Sequence, residues 1–382
     1  MNLRKYLAVL LICVLLLTSL AMLSACGGAP APSPAPSPEP APAGAAPAGA
    51  APAGTAPAQP APGAPAETGS PDETDNADTA AEPELTGTYV RVGALRGPSG
   101  MSMAPLMQWG ADGDLKNSYH FTLGGSPEDM TAGLISGELD IAQLPINVAA
   151  LLYQRLEGDI RVINVNTLGV LFILDRTGEI NEISDLRGRT INITGQGATP
   201  QFALEHILRQ NGMEPGTDVE IIFNVEHAEL AAQMVAGNVD IGMLPQPFVT
   251  TVLNNTDDIN IAIDLSEAWS AAVPGTRFVQ GVVVVRREFL NEHPDAVKLF
   301  LQDHQRSVNF VNSNIPDAAV LMELFDIIPA PIAAQAIPRS NLVHIEGEEM
   351  HTLINPVLAV LYEANPQAVG GAMPDEEFFF LG

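Results

Sequence analysis

The sequence predicts an α/β protein of two similar lobes, each a mostly parallel sheet flanked by helices, joined by a two-strand hinge. A duplicated segment is the first reason: Ser136-Gly137-Glu138-Leu139-Asp140-Ile141-Ala142-Gln143-Leu144-Pro145 returns one hundred residues later as Ala236-Gly237-Asn238-Val239-Asp240-Ile241-Gly242-Met243-Leu244-Pro245. The match extends upstream at the same displacement, pairing the turn from Gly97 to Ser102 with Gly197 to Phe202, and Tyr119 to Leu123 with Val219 to Phe223. That spacing exceeds the roughly 20 to 50 residues of a solenoid unit and suits a small lobe. The second reason is that strand-like runs alternate with helical ones, which implies βαβ units. The third is a pair of long extended runs that bracket the second copy, as a double hinge would.

In chain order, Tyr89 to Leu95 reads as a strand opening onto Gly97-Pro98-Ser99-Gly100, with a helix from Met101 to Trp109 beyond it. Tyr119 to Leu123 is the next strand, Pro127 to Ile135 a helix with Met130, Leu134 and Ile135 on one side, and Asp140 to Leu144 a short buried strand. The second copy repeats this plan: strand Thr190 to Thr194, a turn Gly195 to Thr199, helix Pro200 to Gln210, strand Val219 to Phe223, helix Ala228 to Ala236, strand Asp240 to Leu244. Val162 to Leu174 is the first bracketing run and Phe278 to Val285, interrupted by Gly281, the second. They place residues 88–172 and 275–382 in a first lobe and 173–274 in a second lobe inserted into it. Helices at Pro294 to Val311, Pro316 to Phe325, Pro331 to Ala336 and Gly347 to Glu363 offer no strands for a new sheet and are expected to return to the first lobe.

The front of the chain is not globular. Residues 1–25 read as a secretory leader, with Arg4 and Lys5 ahead of an almost wholly apolar Tyr6 to Leu23. That run is also long enough for a retained membrane helix, but Leu23-Ser24-Ala25-Cys26 resembles the bacterial lipobox, which implies cleavage before Cys26 and its acylation. More than one acyl chain gives stable anchoring. Residues 26–87 are then a tether rich in Pro, Ala and Gly and later acidic, too poor in large apolar groups to offset the entropy of ordering. Cys13 would leave with the leader, so the mature domain has neither a disulfide nor a thiolate metal site.

The formal charge is −28; removing Arg4 and Lys5, and setting aside the eight acids between Glu39 and Glu84, leaves −22 on the folded part. Such a surface repels nucleic acid and anionic headgroups, so neither is an expected partner. The seven histidines show no metal-binding spacing, and no nucleophile elbow or P-loop is present. Gly195-Gln196-Gly197 lacks the third glycine of a dinucleotide fingerprint, and Glu226-His227, at the start of a predicted helix, reads as a solvated terminus rather than an acid/base pair. No cofactor, metal or catalytic residue is expected.

Several stretches together resemble solute-binding proteins of ABC importers, of the class that includes nitrate, sulfonate, taurine and thiamine-precursor binders. They are Arg91-Val92-Gly93 before a Gly/Ser turn, the two Gly-x-x-Asp-Ile elements, Ile183-Ser184-Asp185-Leu186-Arg187-Gly188-Arg189-Thr190-Ile191, and Leu244-Pro245-Gln246-Pro247-Phe248. Val282 to Arg287 followed by His293-Pro294-Asp295-Ala296-Val297 adds a fifth, and the resemblance covers roughly Tyr89 to Tyr362. It implies a type II periplasmic-binding-protein-like fold, an extracytoplasmic, lipid-anchored monomer, a small organic molecule or oxyanion as ligand, and an ABC permease with its ATPase as partners. The class also leaves open a ligand-sensing subunit for a membrane receptor, or an enzyme of thiamine-pyrimidine type, although the cysteine-rich motif of the latter is absent.

In open α/β sheets ligands lie beyond the carboxyl ends of the strands. The candidate contacts are therefore Arg96, Gly97, Ser99, Gly100, Met101 and Ser102 in the first turn, and Pro145 and Asn147 after the first Leu-Pro. In the second copy they are Gly195, Gln196, Gly197 and Thr199, then Gln246, with Phe248 and Trp269 as candidate cleft walls, although aromatics of this kind are more often core. Helix N-termini at these turns offer unpaired N–H donors. The glycines equally suit tight turns, Ser99 and Thr199 equally suit N-caps, and Met101, Met103 and Met107 fit either an adaptable pocket or core. Arg96 is the one basic residue beside the first turn, and so the candidate partner of an oxyanion, and it equally suits a solvated arginine on an acidic surface. A cleft so poor in charge favours a neutral or apolar ligand. Asp140 and Asp240 enter their strands rather than leave them and are expected to be structural.

Overall fold

The computed structural model describes residues 87–224 and 226–382. The expected leader, Cys26 and all but the last residue of the expected tether lie outside the described residues. Within them the chain runs β1 (Tyr89–Leu95), α1 (Pro98–Met101), α2 (Ala104–Ala111), β2 (Ser118–Gly124), α3 (Pro127–Ser136), β3 (Ile141–Pro145), α4 (Ile146–Arg155) and β4 (Ile160–Leu168). It continues through β5 (Leu171–Asp175), β6 (Thr190–Ile193), α5 (Thr199–Gln210), β7 (Glu220–Phe223), α6 (His227–Val235), β8 (Ile241–Pro245), α7 (Phe248–Asn255), β9 (Asn260–Asp264) and α8 (Leu265–Ala272). It closes with β10 (Val279–Arg286), α9 (Arg287–Glu292), α10 (Pro294–Ser313), α11 (Ile315–Leu324), α12 (Ala330–Ala336), β11 (Leu342–Ile345) and α13 (Gly347–Ala364).

The strands form two sheets, one ordered β11-β4-β10-β3-β1-β2 and the other β7-β6-β8-β5-β9. Apart from the added edge strand β11, the duplication is complete: β2-β1-β3-β10-β4 corresponds position by position to β7-β6-β8-β5-β9. In each sheet the first three of these strands are parallel, and the fourth runs antiparallel to its neighbours. The repeated glycines have a shared task. Gly137 and Gly237 follow α3 and α6 with φ of 75° and 78°, the left-handed conformation that ends a helix without a Cβ clash. The start of α3 is fixed by a reciprocal capping box between Ser126 and Asp129.

β10 shows why a continuous valine run was needed. Val282 and Val284 face one apolar cluster while Val283 and Val285 face another, because helices cover both sides of the sheet. The first cluster continues from this sheet into the second through Leu168, Leu171, Phe278 and Trp269, so the two lobes share apolar packing beside the hinge.

Three expectations need correction. The single run from Val162 to Leu174 is two strands in different sheets, parted at Gly169 and Val170. The helix expected from Met101 to Trp109 is two helices broken at Ser102 and Met103. The carboxy-terminal segment does supply a strand, β11, which pairs with β4 at the edge of the first sheet.

Candidate functional site

The hinge sets where the strand ends of the two sheets meet. β4 ends at Leu168 opposite Val279, and Gly281 lies opposite Pro145, so the ends of β3 and β4 meet the crossing between lobes. In the other sheet Leu171 lies opposite Pro245, which brings the end of β8 to the same crossing. The carboxyl ends of the parallel strands thus converge on one cleft from both sides. The crossing is tight. The Gly169 carbonyl accepts hydrogen bonds from Ser266 Oγ at 3.0 Å and Asn341 Nδ2 at 2.5 Å, and Val170 N–H donates to Gln280 Oε1 at 2.7 Å. A Cβ on Gly169 would fall 2.3 Å from Ser266 Oγ, so only glycine permits this approach.

At the mouth, Asn147 in the first turn of α4 meets Thr199, the first residue of α5, whose Oγ1 donates to Asn147 Oδ1 at 3.0 Å. Two of the expected contacts are therefore brought together from opposite lobes. Neither helix has a side-chain cap, since Pro145 and Ala198 hold the cap positions, and their first-turn N–H groups remain available as donors. Ser99 and Thr199 are not N-caps: each lies inside its helix, after Gly97 and Ala198 respectively.

On the second lobe, the segments after β6, β7 and β8 contribute Thr194, His227, and Gln246 with Phe248. Thr194 Oγ1 lies 2.6 Å from His227 Nδ1, and the His227 ring leans on Phe248 with centroids 5.3 Å apart. Burial lowers the His227 pKa, so the ring stays neutral, and its Nε2 has no hydrogen-bond partner among the described residues. His227 is not the solvated terminus expected; only Glu226 is exposed. Gln246 is buried, its Oε1 accepting from Thr250 Oγ1 at 2.8 Å, while Nε2 has no partner among the described residues. Gln196 and Gly197 are exposed at the rim, Gly195 is half-buried, and Gly97, Gly195 and Gly197 all have positive φ.

Under the first turn lies a buried polar network. Ser102 Oγ donates to Ser99 O at 2.7 Å, and Gln143 Nε2 reaches both Ser99 O and Ser102 Oγ, at 2.7 and 3.2 Å. With the Ser102 proton committed, His304 Nε2 must donate to Ser102 Oγ at 3.2 Å. His304 Nδ1 is then the acceptor for His344 Nδ1–H, 2.8 Å away. Burial lowers the His304 pKa well below its usual value and that of His344 to about 4, so the pair is neutral.

Five expected contacts are corrected by this geometry. Ser102 is fully buried in the network just described rather than open to a cleft. Met101 is fully buried too, and its sulfur faces Ser340 Oγ. Gly100 is buried because a Cβ there would lie 1.9 Å from Leu95 O; its role is close packing of α1 on β1. Arg96 points away, its Nη1 donating to Asp326 Oδ2 at 2.6 Å and to Asp326 O at 2.7 Å, so its charge is already matched. Trp269 is also core: its ring stacks on Phe278 and its Nε1 donates to Thr276 Oγ1 at 3.0 Å. Pro145 remains half-buried at the hinge edge, and Ser99 Oγ lies 3.3 Å from Thr167 Oγ1.

Sequence reasoning missed Thr194, His227 and Asn166. Asn166 on β4 is fully buried with no partner for either amide atom among the described residues, and its Oδ1 lies 2.6 Å from where a Cβ on Gly281 would be. The glycine interrupting the valine run was the available signal. Among the described residues no group of three or more His, Cys, Asp or Glu is placed to hold a metal ion, and no helix is long and apolar enough to cross a membrane.

Residues 130–319 match the family described as NMT1/THI5 like. Among solved structures, the chain resembles an ABC transporter protein from Parabacteroides distasonis at 22% identity and TM-score 0.65, covering 76% of this chain and 98% of that one. It also resembles the periplasmic aliphatic sulphonate binding protein of Escherichia coli (18% identity, TM-score 0.61, 74% and 90% coverage). A third likeness is the ligand-binding component of an ABC-type import system from Staphylococcus aureus (15%, 0.57, 76% and 98%). No curated protein sequence matches the chain.

Proposed function

We propose that this chain, with an NMT1/THI5-like segment on the two-lobed type II fold of periplasmic solute-binding proteins, captures a small organic solute between its lobes and delivers it to an ABC importer. The observation that carries this reading is the convergence of both sheets' strand ends on one doubly crossed hinge, bridged at the mouth by Asn147 and Thr199. The groups gathered there are Asn147, Thr199, Thr194, His227, Phe248 and Gln246. They supply hydrogen bonds, an aromatic surface and uncapped helix starts, and no cation, since Arg96 is matched by Asp326. That set suits an uncharged, partly apolar solute over a fully ionised oxyanion.

The lipobox-like Leu23-Ser24-Ala25-Cys26 supports an extracytoplasmic domain tethered through acylated Cys26. The test is incubation of the purified domain with a metabolite extract, followed by mass spectrometry of what is retained. One unmodified small molecule per chain is expected, and steady conversion of a substrate would overturn the reading. In cells, Cys26→Ser should release the protein from the membrane fraction; unchanged membrane association would refute the anchor.

A further inference from the structure

Away from the hinge crossing and the Thr276 segment that leads into β10, where Trp269 Nε1 and Ser270 Oγ donate to Thr276, the Thr199–Asn147 bond is the one hydrogen bond among the described residues that joins the two lobes. We propose that it is a latch holding the lobes closed when no ligand is bound. Three features support this. Thr199 is only 5% exposed, so water competes poorly for its hydroxyl, and the bond keeps more of its strength than an exposed one would. The positive ends of the α4 and α5 macrodipoles approach one another at this point, and the Asn147 carbonyl oxygen supplies partial negative charge between them. The flanks are already in contact, α5 packing on α13 and α7 on α12, so closure at the mouth requires no further movement.

The contacts differ in what they demand of the hinge. Gly169, Ser266 and Asn341 lie at the crossing and can persist while the lobes rotate about it. The mouth bond sits away from the crossing and survives only in the closed state. A contact made in one state shifts the equilibrium by its full free energy. Removing it from a buried setting should raise the open-to-closed ratio roughly 2- to 12-fold.

The folded part contains no cysteine, so spin labels can be placed at will. Labels at Val320→Cys on α11 and Asn254→Cys on α7, both exposed, would report the distance between lobes in ligand-free protein by double electron–electron resonance. One short distance is expected with the native pair, and Thr199→Val, which removes only the hydroxyl, should transfer population to a longer distance. Asn147→Ala should do the same, and the double variant should add little to either single change, as a shared bond requires. An unchanged distribution in both single variants, or a native protein already open, overturns the latch. Because no ligand is used, neither result depends on whether the proposed solute-binding role is right.

Discussion

Asp140 and Asp240 occupy the same place in the duplicated segment, yet alanine at the two positions should have very different effects. Asp140 is 1% exposed. Its Oδ2 accepts from Arg91 N at 3.0 Å and Nε at 2.8 Å, its Oδ1 contacts Arg91 Nη2, and Arg286 Nη1 lies 3.8 Å away. Its backbone also pairs with Arg91 O and with Arg286 N–H, so one residue ties β1, the entrance to β3 and the end of β10 together. The hydrogen bond to Asp140 is the main reason the Arg91 pKa is raised. Asp140→Ala leaves the Arg91 N–H without its acceptor and the half-buried Arg91 guanidinium without its carboxylate, with the Gly137 carbonyl as its remaining acceptor. Breaking a buried pair costs about 3–5 kcal/mol, and the lower end applies because the Arg91 side chain keeps 35% of its exposure and can recruit water. Asp240 is 63% exposed, and among the described residues its only ion-pair contact is Arg176 Nε at 3.7 Å. Arg176 keeps Asp258 and Met234 O when Asp240 is lost. Asp240→Ala should therefore cost only about 0–1 kcal/mol. At about 2–4 °C per kcal/mol for a domain of this order, calorimetry should show Tm falling by about 6–12 °C for Asp140→Ala and by less than about 4 °C for Asp240→Ala. Equal losses would refute the assignment of the two aspartates to unlike surroundings.

Two further outcomes follow from the same geometry. The neutral His304–His344 pair makes stability fall on acidification: below pH about 6.5 the unfolded chain takes up protons that the folded one resists until about pH 4 at His344, so stability rises with pH through that window. His344 alone accounts for up to about 3 kcal/mol, and urea titrations at pH 7 and pH 5 should show a smaller drop for His344→Asn than for the native protein; identical drops would remove the pair as the cause. Arg96→Ala should leave affinity for the retained solute within about twofold and cost under about 1 kcal/mol of stability, since its salt bridge with Asp326 is exposed; a tenfold loss of affinity by calorimetric titration would return Arg96 to the site.

Much of the fold could be read in advance because its signals are local. The period of the apolar residues, the glycine after each helix and the valine run of β10 each constrain their own few residues. The duplication then supplied the arrangement, and the copy at one hundred residues continues beyond what the sequence match suggested, to β4 and β9. The site was less legible because its decisive contacts are long-range. Arg96 is neutralised by Asp326, 230 residues away, which no reading of the first turn could supply. Trp269 follows Asp264 in a helix whose buried face is set by Phe278 and His206, so its sequence neighbours do not say whether it faces core or cleft. His227 looked solvated because it follows Glu226 at the start of a predicted helix. Its ring is half-buried, leaning on Phe248 from another loop and meeting the Thr194 hydroxyl.

The two copies make unlike contributions to one cleft, and the difference starts just after each Leu-Pro. In the first copy α4 begins at once with Ile146, which puts Asn147 in the first turn, where it can reach across to Thr199. In the second, Gln246 and Pro247 intervene before α7 begins at Phe248, and the Gln246 side chain folds back onto Thr250 of its own helix. The first residue of α7, Phe248, is then aromatic, half-buried against the second lobe's apolar cluster, and its ring leans on His227. One lip therefore ends in a polar amide that meets the other lobe, and the other ends in an aromatic pair with a free ring nitrogen. Two identical lips would suit a symmetric ligand, or one bound in either direction. If the binding role proposed above holds, unlike lips on matching sheets would select a solute with one polar end and one flat apolar face, and would fix which way round it sits.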